Sequence, residues 1–262
     1  MSVLNSTTSS TRPTLGSGDI GKSYLETDTN KIIVWNGTSW VKWDYDEIFT
    51  PTAGYSNDYS ILLDSVSDYT ELSSSLSLGT AFSVSCWIRP GSFTSTNYFF
   101  FGKLNNFLMY LSGSDGKIKA GHSGGTLTST TAVSSGSWYH VFFARDSSNV
   151  CYLYVNGSQE ASASDSTTWS LLQIGGDTAY SNNMWLGHMD EVAVWLSDQR
   201  SNISTIYPGT EPNSLASLTP DHWWRMGEDD NGTGSTITDV GYNASLKDLT
   251  LYNGTFSTTV PS

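Results

Sequence analysis

The chain is a succession of short apolar-rich runs, each bounded by Gly, Asn, Asp or Ser; YSILLD, FSVSCWIRP, WYHVFFARD, VCYLYVNG and LLQIGG are examples. Many of them alternate apolar with polar residues, the period of a half-buried strand. Three times an Asn-Gly pair stands between such runs, at Asn36-Gly37, Asn156-Gly157 and Asn253-Gly254. A type I′ turn needs positive φ at both central residues, which Asn and Gly adopt at little cost, so each pair is expected to close a hairpin. Parallel βαβ units need crossovers that this punctuation leaves no room for. About a dozen strands without them indicate an all-β fold, a two-sheet antiparallel jelly-roll sandwich.

Composition points the same way. Ten Trp, 14 Tyr, 10 Phe and 24 Gly accompany only 14% charged residues. That mixture favours strands and tight turns over helices. The one helix expected is SDQRSNISTIY, residues 197–207, with Ser197 as N-cap and Pro208-Gly209 as its stop.

Charge excludes one class of partner. Twelve Lys and Arg stand against 25 Asp and Glu, a net charge of -13. Nucleic-acid backbones bind through surplus cations, so no nucleic-acid partner is expected. The first residues lack the charged-then-apolar pattern of a signal peptide, and no apolar run approaches the ~18 residues of a membrane helix. A soluble chain without membrane insertion, not exported by the standard route, is the expectation. Cys86 and Cys151 each lie in a strand-like run. They are expected to be buried free thiols, with a bridge available only if their strands face each other.

Four segments follow along the chain. Residues 1–18, rich in Ser, Thr, Gly and Pro, read as an extended N-terminal arm. Residues 19–46 hold KSYLET, KIIVW and SWVKW, a small β-meander too short to be stable alone. Trp35, Trp40 and Trp43 are its expected adhesive surface. Residues 47–56 form a linker, and 57–262 the sandwich.

Several motifs occur in a telling order: YSILLDSVSDYTEL, FSVSCWIRP, GSWYHVFFARDSSNVCYLYVNGS, LLQIGG and WLGHMDEVAVWLS. Over residues 57–207 this string resembles the concanavalin A-like, laminin-G-like jelly-roll family. The strand usually first in that family lies here last, as DHWWRMGEDDNG, which resembles a circular permutation in which residues 220–260 complete the sandwich. Arg12-Pro13-Thr14, Gly18-Asp19, Tyr24, Thr27-Asp28-Thr29 and Val34 to Val41 resemble a short module of bacteriophage virion proteins. With that module the resemblance implies anchoring to a virion partner through Arg12, Pro13, Trp35, Trp40 and Trp43.

The jelly-roll family includes glucanases, which carry a Glu-x-Asp-x-Glu strand with two carboxylates about 5 Å apart. No such strand is present. In HMDEVAVW, strand alternation would put Asp190 and Glu191 on opposite faces, where they cannot form that pair. His140 is expected on a sheet face or in the core, and His122, His188 and His222 have no partner that spacing establishes. Asp190 shares parity with Val192 and Val194, so it should point inward and need hydrogen-bond donors or a metal. A hydrogen-bonded structural Asp190 is the expectation; the alternative is a Ca2+ site, since calcium sites in the family use loop carboxylates, with Asp64, Asp68 and Asp190 as candidate ligands and the Glu228-Asp229-Asp230 loop as a further contributor. Trp169, Tyr180, Trp185 and Tyr242 lie in or near loops, but no sugar site follows from sequence.

The leading expectation is a non-enzymatic virion structural protein, a capsid decoration, head fibre or tail-appendage component in symmetric multicopy form on the virion surface. Its partners would be capsid or appendage proteins, with host-surface glycan as a further ligand. The alternative is a carbohydrate-binding, lectin-like adhesin module. A glycan hydrolase is third.

Overall fold

The computed structural model describes residues 5–8, 10–15, 22–26, 31–35, 38–43, 55–102, 108–122, 125–178 and 183–262. The chain forms two compact units, Met1–Tyr55 and Ser56–Ser262.

The first unit is one sheet of four short strands in chain order, β1 (Asn5–Thr7), β2 (Ser23–Glu26), β3 (Lys31–Trp35) and β4 (Trp40–Trp43). β1 lies parallel to β2, so the segment read as an arm contributes a strand to the meander's sheet. Trp35 pairs with Trp40, leaving four residues between them. A two-residue turn therefore does not join β3 to β4, and Asn36-Gly37 itself lies outside the described residues. Half-buried Trp40 meets Tyr24 edge-on at 5.3 Å and Trp35 at 5.6 Å, and its indole N–H donates to the Pro13 carbonyl. These rings hold the small sheet together.

The second unit is the sandwich, built from β5 (Ser60–Leu63), β6 (Tyr69–Gly79), β7 (Phe82–Pro90), β8 (Asn97–Gly102), β9 (Leu108–Ser112), β10 (Lys117–His122), β11 (Gly125–Ala132) and β12 (Tyr139–Arg145). It continues with β13 (Val150–Val155), β14 (Ser158–Ser164), β15 (Trp169–Ile174), β16 (Gly187–Trp195), β17 (His222–Trp224), β18 (Thr236–Ile237), β19 (Leu249–Tyr252) and β20 (Thr255–Ser257). The front sheet runs β14-β13-β12-β7-β16-β5-β20, with β17 also beside β16. The back sheet runs β11-β10-β9-β8-β15-β6-β19-β18. Every strand pairing in both is antiparallel. Residues after 220 thus supply strands to both sheets.

Alternation sorts the side chains. Ile61, Leu63, Val84, Cys86, Ile88, Val141 and Phe143 of the front sheet meet Leu72, Met109, Leu111, Leu171, Ile174 and Leu249 of the back sheet. β7 and β12 are buried on their outer face too, because Tyr207 packs against Trp87 (5.6 Å) and His140 (5.2 Å). That is why their sequences read as nearly continuous apolar runs.

Local expectations fare unevenly. Asn156 (φ +48°) and Gly157 (φ +74°) separate the paired residues Val155 and Ser158, a two-residue hairpin as expected. Asn253-Gly254 instead joins β19 of the back sheet to β20 of the front sheet, so it carries the chain across the core. A Cβ on Gly254 would fall 2.5 Å from the Leu63 side chain, which explains a glycine at that crossing. The expected helix shrinks to a 3-10 turn, Arg200–Asn202, and one α-turn, α1 (Ile203–Ile206). Ser197 does not cap it; Asp198 Oδ1 accepts the Arg200 N–H at 3.1 Å, while the Ser197 carbonyl accepts from Ser83. β-branched Ile and Thr with Ser and Asn give that segment little helical propensity.

Cys86 and Cys151 are buried and free. Cys86 pairs with Val141 and Cys151 with Arg145 on the same strand, four residues or about 13 Å apart, beyond the reach of a bridge. Burial pushes both thiols up, Cys151 to about 12.

Arg145 is 1% exposed and has no carboxylate partner. Its guanidinium donates to the carbonyls of Gly79 (2.5 Å), Thr80 (2.6 Å), Asp165 (3.3 Å) and Thr167, with Phe82 and Trp169 rings about it. It thereby ties the β6–β7 turn to the approach to β15. Replacing it by Met keeps the stem but leaves four carbonyls without this donor. Arg145→Met should cost about 3 kcal/mol or more in urea unfolding. A loss under about 1 kcal/mol would mean that water substitutes for the guanidinium.

Candidate functional site

β16 changes partners along its length. Residues 187–189 pair with β5, and 192–194 pair with β17. On its other side Asp190 faces Trp87 but Ala193 already faces Ser85, so Glu191 and Val192 together oppose one residue of β7. This is a β-bulge, with Glu191 at φ +45°.

The bulge overturns two expectations drawn from strict alternation. Asp190 lies on the outer side with Trp87, whereas Val192 and Val194 enter the core. Glu191 reaches the same side, accepting from Trp223 Nε1 at 2.6 Å and Arg225 Nε at 3.1 Å. The two carboxyls therefore share a face. Asp190 accepts from Asn57 Nδ2 at 2.9 Å and from the Glu191 N–H at 2.8 Å. Both residues are buried, 0% and 2% exposed. Burial first, then the Glu191 charge, holds the Asp190 carboxyl well above its usual range. Arg225 also donates to the Ser56 carbonyl, and Glu228 accepts the N–H groups of Asp58 and Tyr59. With the Asp190 and Glu191 carboxylate oxygens engaged by protein donors and both carboxyls enclosed, the cluster latches the start of the sandwich onto β16.

The candidate Ca2+ ligands do not converge. Asp68 spends its carboxylate on the N–H groups of Asp64 and Ser65, each at 3.0 Å, and on the Ser67 hydroxyl. By register Asp190 lies opposite Ser60, so Asp64 is four residues along, on the order of 13 Å away. Among the described residues no group of three or more His, Cys, Asp or Glu side chains has a metal-holding arrangement.

Of the anchoring candidates, Arg12 is exposed, Pro13 and Trp40 bond each other, and Trp35 packs on Trp40. Trp43 ends β4, and its side chain lies outside the described residues. Trp169 and Trp185 are fully buried, Tyr242 is exposed, and Tyr180 lies outside the described residues.

A groove of about 290 Å³ opens on the outer face of the front sheet, at the lower edge of the ~300–1,000 Å³ of small-molecule sites. Arg89, His188 and Leu62 form one row of cross-strand neighbours on β7, β16 and β5. Asp64, Leu186, Pro90 and Ser92 complete its walls. Two glycines shape the end: Gly91 N donates to the Leu186 carbonyl at 2.8 Å, and Gly187 sits at φ +142°. A Cβ on Gly187 would lie 2.2 Å from the Arg89 carbonyl, so any side chain there would part the strands.

The polar atoms of the groove are oriented and unspent. Arg89 Nε donates to the Gly136 carbonyl at 2.9 Å, and Gly136 N returns a bond to the Pro90 carbonyl at 2.8 Å. No ion pair joins Arg89 to Asp64, although both line the groove. Ser60 Oγ donates its one hydrogen to the Thr259 carbonyl at 2.8 Å, so His188 Nδ1, 3.1 Å away, is the donor to Ser60. The second ring nitrogen, Nε2, is then a bare acceptor. Burial, reinforced by the Arg89 charge, lowers His188 to about 4, so the ring is neutral near pH 7. Half-exposed Trp138 lies beside it, ring centres 6.0 Å apart. Sequence reasoning missed Arg89 and Trp138; the Gly136 turn just before Trp138 was the only local sign.

His140 is enclosed, with Nε2 2.8 Å from Ser85 Oγ, Nδ1 without a partner, and a value lowered by burial to about 3. Both rings therefore take up protons far less readily in the folded chain than the ~6.5 of a free imidazole. Their contribution is complete above that value and is lost as pH falls toward 4 and then 3. Asp190, raised in the fold, has the opposite sign and opposes folding as pH climbs out of the ordinary carboxyl range. In His188→Gln, the drop in urea midpoint between about pH 7 and about pH 4.5 should shrink relative to the wild type. An unchanged drop would show that this ring is not held neutral.

Solved structures that share the sandwich include two that overlap most of this chain. A Bacteroides ovatus protein, whose carbohydrate binding is itself inferred, aligns at TM-score 0.62 and 14% identity over 93% of this chain and 70% of its own. The heptameric SAP-like pentraxin of Limulus polyphemus aligns at TM-score 0.52 and 16% identity over 75% of this chain and 95% of its own. At these identities the likeness is one of fold. No curated protein sequence matches the chain. Residues 64–198, just over half the chain, match the family described as the concanavalin A-like lectin/glucanases superfamily. The chain belongs to that superfamily.

Proposed function

We propose that the sandwich is a non-catalytic carbohydrate-binding module and that its ligand sits in the groove between the end of β7 and the start of β16. The observation that carries this reading is the set of unspent polar atoms around an apolar lining. Asp64 and His188 Nε2 accept from sugar hydroxyls, Arg89 donates to them, and Ser92 does either. Leu62, Pro90 and Leu186 face the C–H surfaces of a ring, with Trp138 beside His188 as a stacking platform.

Fold relatives with the same sandwich include a protein for which carbohydrate binding has been inferred. Of the expectations drawn from the sequence, the findings favour carbohydrate binding over a virion component, for which they supply no support. The acid pair Asp190 and Glu191 is enclosed in a structural latch, which favours binding over hydrolysis. Among the described residues no helix is long and apolar enough to cross a membrane.

The full chain should bind at least one class of glycan on an array. Asp64→Ala should weaken that binding about tenfold or more, since a hydrogen bond to a charged group contributes ~1.5–3 kcal/mol. The Asp64 carboxylate is exposed, so the same substitution should leave the unfolding midpoint nearly unchanged. Binding that survives both Asp64→Ala and Trp138→Ala would place the ligand elsewhere, and no glycan binding would remove the reading.

A further inference from the structure

The charges in the groove are placed in an unusual way. Arg89 and Asp64 lie two strands apart and one cross-strand row apart, which puts their backbones on the order of 12 Å from each other. No ion pair joins them, and neither has another charged partner among the described residues. Elsewhere in the sandwich the well-ordered arginines are committed: Arg145 to four carbonyls, Arg200 to Asp198 and Asp146, Arg225 to Glu191. Arg89 alone among them is fixed at one end and open at the other. Its Nε is held by Gly136, and no protein acceptor meets Nη1 or Nη2 among the described residues.

A guanidinium so held is pre-organised. The clasp between Gly136 and β7 restricts the side chain before any ligand arrives, which lowers the entropy lost on binding. Two parallel N–H groups on one edge match the two oxygens of a carboxylate. The acceptors, Asp64 and the bare Nε2 of His188, are on the other two strands of the same groove and suit hydroxyl hydrogens. A ligand that satisfies both sides carries one carboxylate and several hydroxyls on one compact frame. Simple neutral sugars leave the fork of Arg89 without a charged acceptor, and cationic amino sugars would be met by it unfavourably.

Resting on the carbohydrate-binding reading, we propose that the groove selects acidic sugars, uronate residues whose carboxylate is taken by the Arg89 Nη pair while their hydroxyls bond Asp64 and His188. A net charge of -13 repels polyanions at long range, so the selectivity is local, one carboxylate at one fork, and not a general attraction to acidic polymers.

The test measures binding of the full chain by calorimetry to galacturonate, glucuronate and mannuronate oligosaccharides, to their methyl esters, and to neutral and amino-sugar oligosaccharides. Esterification removes the charge and leaves the hydroxyls. At least one uronate series should bind, its ester should bind tenfold or more weakly, and Arg89→Gln should erase the difference between them. Arg89→Lys, which keeps the charge but not the fork, should recover only part of it, with urea unfolding confirming that both variants fold. Equal binding of acid and ester, a preference for amino sugars, or an acid preference that survives Arg89→Gln overturns the proposal while leaving carbohydrate binding standing. If no sugar of any kind binds, both readings fall together.

Discussion

A strand that changes neighbours midway cannot keep its pleat. β16 lies against β7 throughout, but its second neighbour is β5 at one end and β17 at the other. The break falls at Asp190-Glu191, and the extra residue there resets which side chains enter the core. Upstream, alternation puts Met189 inside and His188 outside; downstream, it puts Val192 and Val194 inside. Without the bulge, one of the two halves would turn its apolar residues to solvent. A non-glycine residue at positive φ costs ~1–3 kcal/mol. The Trp223 and Arg225 bonds to Glu191 and the Asp190 bond to its N–H oppose that cost at the strained residue itself.

The consequence extends to both ends of the sandwich unit. Asn57, Ser56, Asp58 and Tyr59 are all held by side chains at or beside the break, so β5 enters the sheet in one register. β5 in turn brings Leu62 into the row with His188 and Arg89. The groove is thus a downstream product of how the fold accommodates one extra residue. The energy is in the latch; the chemistry is a few residues away.

Much of this was legible where the physics is local. The apolar-rich runs FSVSCWIRP and WYHVFFARD, bounded by turn residues, located β7 and β12, and Asn156-Gly157 gave the β13–β14 turn with its φ values. β14 itself, SQEASAS, is a solvent-facing edge strand with no apolar period to read. The middle of β6 is equally quiet, three serines in a row. Asn253-Gly254 shows the limit of turn chemistry: the dipeptide specifies a reversal, not whether the two strands return to one sheet. The bulge was illegible because Glu is not a residue that announces positive φ. The groove was illegible because it draws on residues near 62, 90 and 187, which only the register of three strands brings into line.

The hydroxyl of Ser60 has a single hydrogen to give, and the Thr259 carbonyl takes it. That leaves the imidazole of His188 no choice of tautomer, and so decides that the atom it turns away from Ser60 attracts hydrogens instead of offering one. The polarity of one wall of the groove is therefore dictated from a position some 70 residues further along the chain, through two hydrogen bonds. Loss or displacement of the segment around Thr259 would free the serine hydrogen and invert what that wall asks of a ligand, with no groove residue replaced.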